Sequence, residues 1–338
     1  MQAQSELISL PQTLTEMFTR ARPDYERAVR GIRWGEAPVY LLGSASTLPA
    51  ALAAGYAVED LLGYPAVVRE ASSFLSYTLG TVRRGSVMVA VSNGAAAAPR
   101  LVEAVQAARK QGAQVLAVTA ESSPLALAAD HVFVLPEVAG NPARGLAEAC
   151  LEHAAVGYLA LIAARLFKRP RASVDRLEDD WHDLPAHLEW IVSQLAAAVR
   201  SFAAELRSPG RVFLVGEGFY HPSALRAADL TPRPDQVLGI DLAGLRLRLV
   251  SDAAVVFLSS SRSRTRKESA DRAIELNARG AASLAVTDSN DHELLRASRL
   301  ALLLPDLAEL PGSVLALAVA GWVARQMAEH ARVTKAAK

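Results

Sequence analysis

Along the chain, short apolar runs alternate with longer stretches in which apolar residues recur every three or four positions. In the first half the runs are Pro38–Leu42, Ala66–Arg69, Val87–Ser92, Val115–Val118 and Val132–Leu135. They are brief, rich in Val and Leu, and mostly apolar without alternation, the pattern of strands covered on both faces. Between two of them, Ala97–Gln111 places Leu101, Val102, Val105 and Ala108 on one side of a predicted helix. The second half repeats the alternation with Val212–Val215, Val237–Ile240, Ala254–Leu258, Ser283–Val286 and Ala301–Leu304. Strands that alternate with helices predict an α/β fold with a five-stranded parallel sheet in each half. Further helices are predicted over Leu14–Arg30, kinked at Pro23, and over Leu146–Leu166, Pro185–Arg207 and Ser313–Arg332.

The two halves are also alike in detail. Val39-Tyr-Leu-Leu-Gly43 returns as Val212-Phe-Leu-Val-Gly216, and each Gly is followed six residues later by a Pro, Pro49 or Pro222. Gln111-Gly-Ala-Gln-Val-Leu-Ala-Val-Thr119 is echoed by Arg279-Gly-Ala-Ala-Ser-Leu-Ala-Val-Thr287, and Pro136-Glu137 by Pro305-Asp306. An ordered set of landmarks at an offset of about 170 residues means two copies of one domain. The expected organisation is an N-terminal helix over 1–35, a first domain over 36–167, a linker and bridging helix over 168–209, and a second domain over 210–338. Lys168–Asp183, charged and containing Pro170, is the expected linker.

Composition narrows the chemistry. The length of 338 residues suits about two domains at the usual size of roughly 150 residues each. Lys and Arg total 36 against 35 Asp and Glu, so the net charge of +1 gives no field for nucleic acid or an anionic membrane. The single cysteine, Cys150, excludes an internal disulfide and a multi-cysteine metal centre, and points to a reducing, cytoplasmic setting. The apolar stretches Val156–Ala164 and Val314–Val323 fall short of the roughly 20 residues needed to span a bilayer. The N-terminus lacks the basic and apolar regions of a secretory signal. Seven scattered histidines, with His182 and His187 five apart, predict no metal site.

Ligands of open parallel sheets bind at the carboxyl ends of the strands, where loops lead into helix N-termini. Gly43-Ser-Ala-Ser-Thr47, Ser92-Asn-Gly94 and Glu137-Val-Ala-Gly140 fall at such ends. Their hydroxyls and exposed N–H groups suit a phosphate; the alternative is plain helix capping. The second copy carries Ser259-Ser-Ser-Arg-Ser-Arg-Thr-Arg-Lys267 where the first has its Ser92 loop. That run is either a second phosphate loop, through Ser260 and Ser261, or a solvated basic segment.

These residues resemble the sugar isomerase (SIS) domain family, in the doubled form of the isomerase half of glucosamine-6-phosphate synthase and related isomerases and deaminases. The resemblance is carried by Gly43-Ser-Ala-Ser46, Val68-Arg-Glu-Ala-Ser-Ser-Phe74, Val89-Ala-Val-Ser-Asn93, Gln111-Gly-Ala, Pro136-Glu137 and Gly216-Glu-Gly-Phe-Tyr-His-Pro222. It implies two flavodoxin-like α/β/α domains, a phosphosugar ligand, no cofactor, and sites completed across a homodimer. By match, phosphate binding falls on Ser44, Ser46, Thr47, Ser92 and Asn93, with Arg100 as an added charge, and Glu137 takes the place of the family's Glu after the last strand. The chain departs from the pattern where the family has Ser-x-Ser-Gly-x-Thr. Here Ser92-Asn-Gly-Ala-Ala-Ala97 lacks the second Ser and the Thr. The family's base position falls near Arg233, and no His-Gly-Pro occurs. Glu137, Glu70 and His221 are the remaining candidates for acid–base work, each with a structural alternative: capping for Glu137 and His221, a solvated strand-end charge for Glu70. Two functions follow: a phosphosugar isomerase or aminosugar-phosphate deaminase, or a SIS pair that senses a phosphorylated sugar without turning it over.

Overall fold

The computed structural model describes residues 2–35, 38–92, 99–138, 145–167, 174–206, 210–231, 235–245 and 253–336, as backbone only at 2 and 328–336. The first sheet contains β1 (Val39–Gly43), β2 (Ala66–Glu70), β3 (Val87–Val91), β4 (Gln114–Thr119) and β5 (His131–Val134). Its order is β2-β1-β3-β4-β5. The second contains β6 (Arg211–Gly216), β7 (Val237–Ile240), β8 (Ala253–Leu258), β9 (Ala282–Asp288) and β10 (Leu300–Leu304), in the order β10-β9-β8-β6-β7. Every neighbouring pair is parallel. Read from the edge next to the first strand, both sheets have the order 2-1-3-4-5, so each has its switch point between its first and third strands.

All ten predicted strands are present, with ends displaced by no more than two residues. Burial explains why the runs do not alternate: β1, β3 and β8 are covered at every position. Against the first sheet pack Leu101, Ala104, Val105 and Ala108 of the helix Pro99–Lys110. Ala270, Ala273 and Leu276 of the helix Arg266–Ala278 do the same for the second. Equivalent backbone bonds fix the match between the copies. Ser92 N–H donates to Val118 O at 3.0 Å and Ser259 N–H to Val286 O at 3.2 Å, which sets Ser92 against Ser259 and Thr119 against Thr287.

The helices around the sheets differ more from expectation. The predicted kinked N-terminal helix is three segments, Gln2–Ile8, Leu10–Thr19 and Arg22–Arg30. Pro23 starts the third, where its missing N–H has no intrahelical partner to lose. The stretch expected as linker is helical from Val174, within Val174–Gln194, and Pro185 lies inside that helix. Val174, Leu177, Trp181, Leu184, Leu188 and Ile191 recur every three or four residues and are buried, which outweighs the surrounding charge. Leu146–Leu166 forms as predicted. At 21 residues it is the one helix among the described residues long and apolar enough to cross a membrane, and 94% of its apolar window is buried in the protein.

The chain forms two compact units that interleave in sequence. One holds the first sheet and comprises Gln12–Ala139 with Leu151–His182; the other holds the second sheet and comprises Met1–Pro11, Gly140–Cys150 and Asp183–Lys338. Within the first-sheet unit, Phe18 meets Tyr158 at 4.6 Å and Trp181 at 5.7 Å between ring centroids. Glu178 there takes salt bridges from Arg22 at 2.7 Å and Arg165 at 2.5 Å. Burial opposes ionisation of Glu178, but hydrogen bonds from the two guanidinium groups outweigh it and hold the carboxyl below its ordinary range. In the second-sheet unit, Glu6 pairs with Arg325 at 2.5 Å and accepts the Leu146 N–H at 2.7 Å.

Candidate functional site

At the C-terminal edge of the first sheet, Glu70, Gly43, Val91, Val118 and Phe133 stand in one register row across the five strands. The chain leaves β1 through a turn in which the Thr47 and Leu48 N–H groups both donate to Ser44 O, at 3.0 and 2.7 Å. Gly43 has to be Gly, because a Cβ there would lie 2.7 Å from Leu48 N and Thr47 O. The Thr47 hydroxyl accepts the Ser44 N–H at 2.9 Å and donates to Val91 O at 2.8 Å, fastening the turn to the end of β3. Thr47, expected as a phosphate contact, is therefore buried and occupied by this tie. Ser44 and Ser46 stay half-buried at the turn, and Ser92 follows β3 one residue beyond the Gly43–Val91 pairing. Asn93 lies outside the described residues.

Glu70 ends β2 directly beside Gly43. Its Oε2 accepts the N–H groups of Ser72 at 2.7 Å and Ser73 at 3.2 Å, capping a helical turn that widens into the π-helical segment Phe74–Thr78. Both bonds fall on one oxygen. Among the described residues Oε1 takes no hydrogen bond, so an anchored carboxylate keeps one oxygen open beside β1, one strand from the switch point. Glu70 is thus a cap rather than the solvated strand-end charge expected as its structural alternative, and capping through one oxygen is compatible with a chemical role for the other.

The other predicted residues lie elsewhere. Arg100 is exposed on the helix Pro99–Lys110 and pairs with Glu103 at 2.8 Å. Glu137 is exposed beyond β5, the strand at the opposite end of the sheet from β2. Four strand spacings separate β2 from β5, about 19 Å. Of the two carboxylates, Glu70 is the one adjoining the Ser44 turn.

In the second-sheet unit, His221 lies half-buried in the first turn of the helix Tyr220–Asp229. Burial lowers its pKa, with Asp241 and Glu217 acting in the opposite direction. Ser259 and Ser260 are buried beyond β8, and the Ser261 N–H donates to Asp288 Oδ2 at 2.6 Å. The other Asp288 oxygen accepts the Asn290 N–H at 2.8 Å. Of the loop's cations, Arg262 is bound to Asp306 at 2.7 Å and Arg266 donates to Ser261 O at 3.1 Å. Sequence reasoning overlooked Asp288, although the repeat marks it: Ala120 follows the first Leu-Ala-Val-Thr and Asp288 the second. No cluster of three or more metal-ligating side chains occurs among the described residues.

Residues 35–163 match the family model of the SIS domain. No curated protein matches the sequence. The fold is shared with the C-terminal domain of glucosamine-fructose-6-phosphate aminotransferase from Francisella tularensis, at TM-score 0.84 and 16% identity over 97% of this chain and 95% of that one. The tagatose-6-phosphate ketose/aldose isomerase of Escherichia coli aligns at TM-score 0.75 and 16% identity, over 98% and 93% of the two chains. The glucosamine-6-phosphate deaminase of Thermotoga maritima aligns at 0.70 and 14%, over 98% and 95%.

Proposed function

We propose that the SIS domain of the first-sheet unit binds a sugar phosphate and that the chain is a phosphosugar isomerase or aminosugar-phosphate isomerase/deaminase. The observation that carries this reading is the sheet edge around β1, where Glu70 ends β2 on one side of the Ser44–Thr47 turn and Ser92 follows β3, across the switch point, on the other. The structures aligned above, whose names give hexose- and hexosamine-phosphate chemistry, support the same class. Ser44, Ser46 and Ser92 donate hydroxyls to the phosphate, together with Asn93. Thr47 holds the turn. Arg100, paired with Glu103, contributes at most a diffuse positive field.

In an isomerisation, Glu70 Oε1 removes the proton from C2 of the open-chain aldose, and the electron pair forms an enediolate with the charge on O1. The O2 hydroxyl proton passes to O1, and the proton held by Glu70 returns at C1 as the C2–O2 bond becomes the ketose carbonyl. Ser72 and Ser73 N–H groups keep the carboxylate oriented throughout. A non-catalytic sensor is the alternative, favoured by the Ser92-Asn-Gly-Ala-Ala-Ala97 loop, which offers fewer hydroxyls than the family pattern. Ser260, Ser261, His221 and Glu137 have no part in this first-unit site. A homodimer in a reducing cytoplasm goes with this reading, consistent with Cys150 being a buried thiol outside any disulfide. Light scattering that finds only monomer overturns the dimer.

The test is a thermal-shift panel of hexose, hexosamine and pentose phosphates, followed by solvent-deuterium incorporation at C2 of the responding sugar. Ser44→Ala and Ser92→Ala are each expected to weaken binding about tenfold, the loss of one hydrogen bond to a charged group. Glu70→Gln should slow exchange by roughly 10²–10⁴-fold and leave the thermal shift in place. No stabilisation by any phosphosugar overturns the function. Binding without exchange selects the sensor.

A further inference from the structure

We propose that Asp288 is a built-in substitute for the anion, which closes the second unit's serine loop and confines phosphate to the first unit. The proposal rests on the phosphosugar reading above and adds a specificity-determining residue to it.

The copies align residue by residue at this edge, because Ser92 and Ser259 make the same backbone bond to the strand that follows in the sheet. Counting on, Asn93 matches Ser260 and Gly94 matches Ser261. N–H groups of a loop that leads from the carboxyl end of a parallel strand into a helix are the ones an anion would engage. In the second copy the Ser261 N–H is already taken by Asp288 Oδ2 at 2.6 Å, a charge-assisted bond, and Asp288 Oδ1 binds Asn290 N–H at 2.8 Å. The carboxylate is 1% exposed, so water does not compete for it. The first copy has Ala120 at that position, which brings no negative group.

A second substitution acts in the same direction. Gly43 and Gly216 both end a strand in a turn too tight for a Cβ, which aligns Ser44 with Glu217 and Thr47 with Tyr220. A hydroxyl donor of the first copy is thus a carboxylate in the second, engaged with the Leu242 N–H at 3.2 Å. Asp291, which matches Ser123 as the cap of the next short helix, adds a third acid to the same edge. The serine-rich, basic sequence of 259–267 reads as a phosphate loop, yet its surroundings exclude one: Asp288 already holds the amide, and Asp306 and Ser261 O hold two of its four cations. The Ser259 hydroxyl is left buried without a hydrogen-bond partner among the described residues, so the loop retains a polar group that an anion would satisfy once the carboxylate is gone.

The experiment is amide hydrogen exchange, resolved along the chain, on full-length wild type, Asp288→Ala and Asp288→Asn, with and without inorganic phosphate. Wild type is expected to show a slow Ser261 amide and no phosphate effect over 259–265. In Asp288→Ala that amide should exchange about tenfold faster or more, and phosphate should restore its protection. A folded Asp288→Ala protein with an unchanged Ser261 amide, or with no phosphate effect at 259–265, overturns the proposal. Should Asp288→Ala fail to fold, Asp288→Asn decides: the weaker neutral acceptor should speed exchange at Ser261 and Asn290 alone, and unchanged rates at both overturn the proposal. Phosphate protection around residues 44–47 and 92 is read from the same data. Its absence there counts against the first-unit site without touching the result at Asp288.

Discussion

One hydroxyl separates the two roles that sequence alone assigns together to the Ser44–Thr47 turn. Thr47 belongs to the turn's structure, since its Oγ1 joins Ser44 N–H to Val91 O and is shielded from solvent. Thr47→Val keeps the shape and removes both bonds, leaving Val91 O and Ser44 N–H without their partner. The expected cost is about 1–3 kcal/mol of unfolding free energy in urea titration, with Thr47→Ser close to wild type. Ser44→Ala and Ser46→Ala, on half-buried positions, should move stability by about 0.5 kcal/mol or less and act on ligand affinity instead. The reverse pattern, with Thr47→Val neutral to folding, would return Thr47 to the ligand set. Glycine reads more plainly. The sequence places Gly43 and Gly216 at equivalent strand ends, and in both the following backbone occupies the space of a Cβ.

Elements were legible to the degree that one local pattern decided them. The ten strands are short, mostly apolar without a helical period and bounded by polar turns, which sets them apart from the amphipathic stretches between them. The helix Val174–Gln194 is legible only from Pro185 on, because charge at Asp175, Arg176, Glu178 and Asp179 masks the apolar stripe of its first half. Nor did the sequence disclose that the Thr47 hydroxyl turns inward, since that depends on the non-local carbonyl of Val91. The helix Leu146–Leu166 was read correctly, but its buried His153 carries a consequence that only burial reveals. Desolvation lowers the His153 pKa to about 4 from an ordinary 6.5. Above pH 6.5 both folded and unfolded chains hold it neutral. As pH falls below 6.5 the unfolded chain takes up a proton that the folded one refuses, so stability declines until about pH 4. A shift of this size is worth about 3 kcal/mol across that window. His153→Leu should flatten the fall of the urea midpoint between pH 6.5 and 4, with carboxylates such as Glu178 accounting for what remains at lower pH.

At the scale of the whole molecule, the repeat predicts two similar sheets but not how the chain is shared between the two folded units. The boundaries that composition favours, 36–167 and 210–338, cut through both. A fragment of residues 36–167 lacks Phe18, which packs on Tyr158, and Tyr25, whose ring stacks on Phe133 with centroids 3.6 Å apart and whose hydroxyl donates to Val134 O at 2.6 Å. It also lacks Trp181 and Val29, both buried, and the Glu178 carboxylate that holds Arg165. At about 1.5–3 kcal/mol for each large apolar side chain, the loss of these four approaches roughly 6–12 kcal/mol, the size of a whole domain's stability. Residues 12–182 retain all of these contacts. In circular dichroism melts, 36–167 is expected to show no cooperative transition, whereas 12–182 should show one even though its 140–150 segment belongs to the other unit. The same logic assigns the first eleven residues to the second sheet. Their removal takes Glu6 away from Arg325 and from the Leu146 N–H, and breaking a largely buried pair on one side costs about 3–5 kcal/mol. A 12–338 chain should therefore lose stability in the unit that reports through Trp322, while Trp181 reports an unchanged first-sheet unit. Equal melting of 36–167 and 12–182 would mean that the helices at either end are accessories to a sheet able to fold without them.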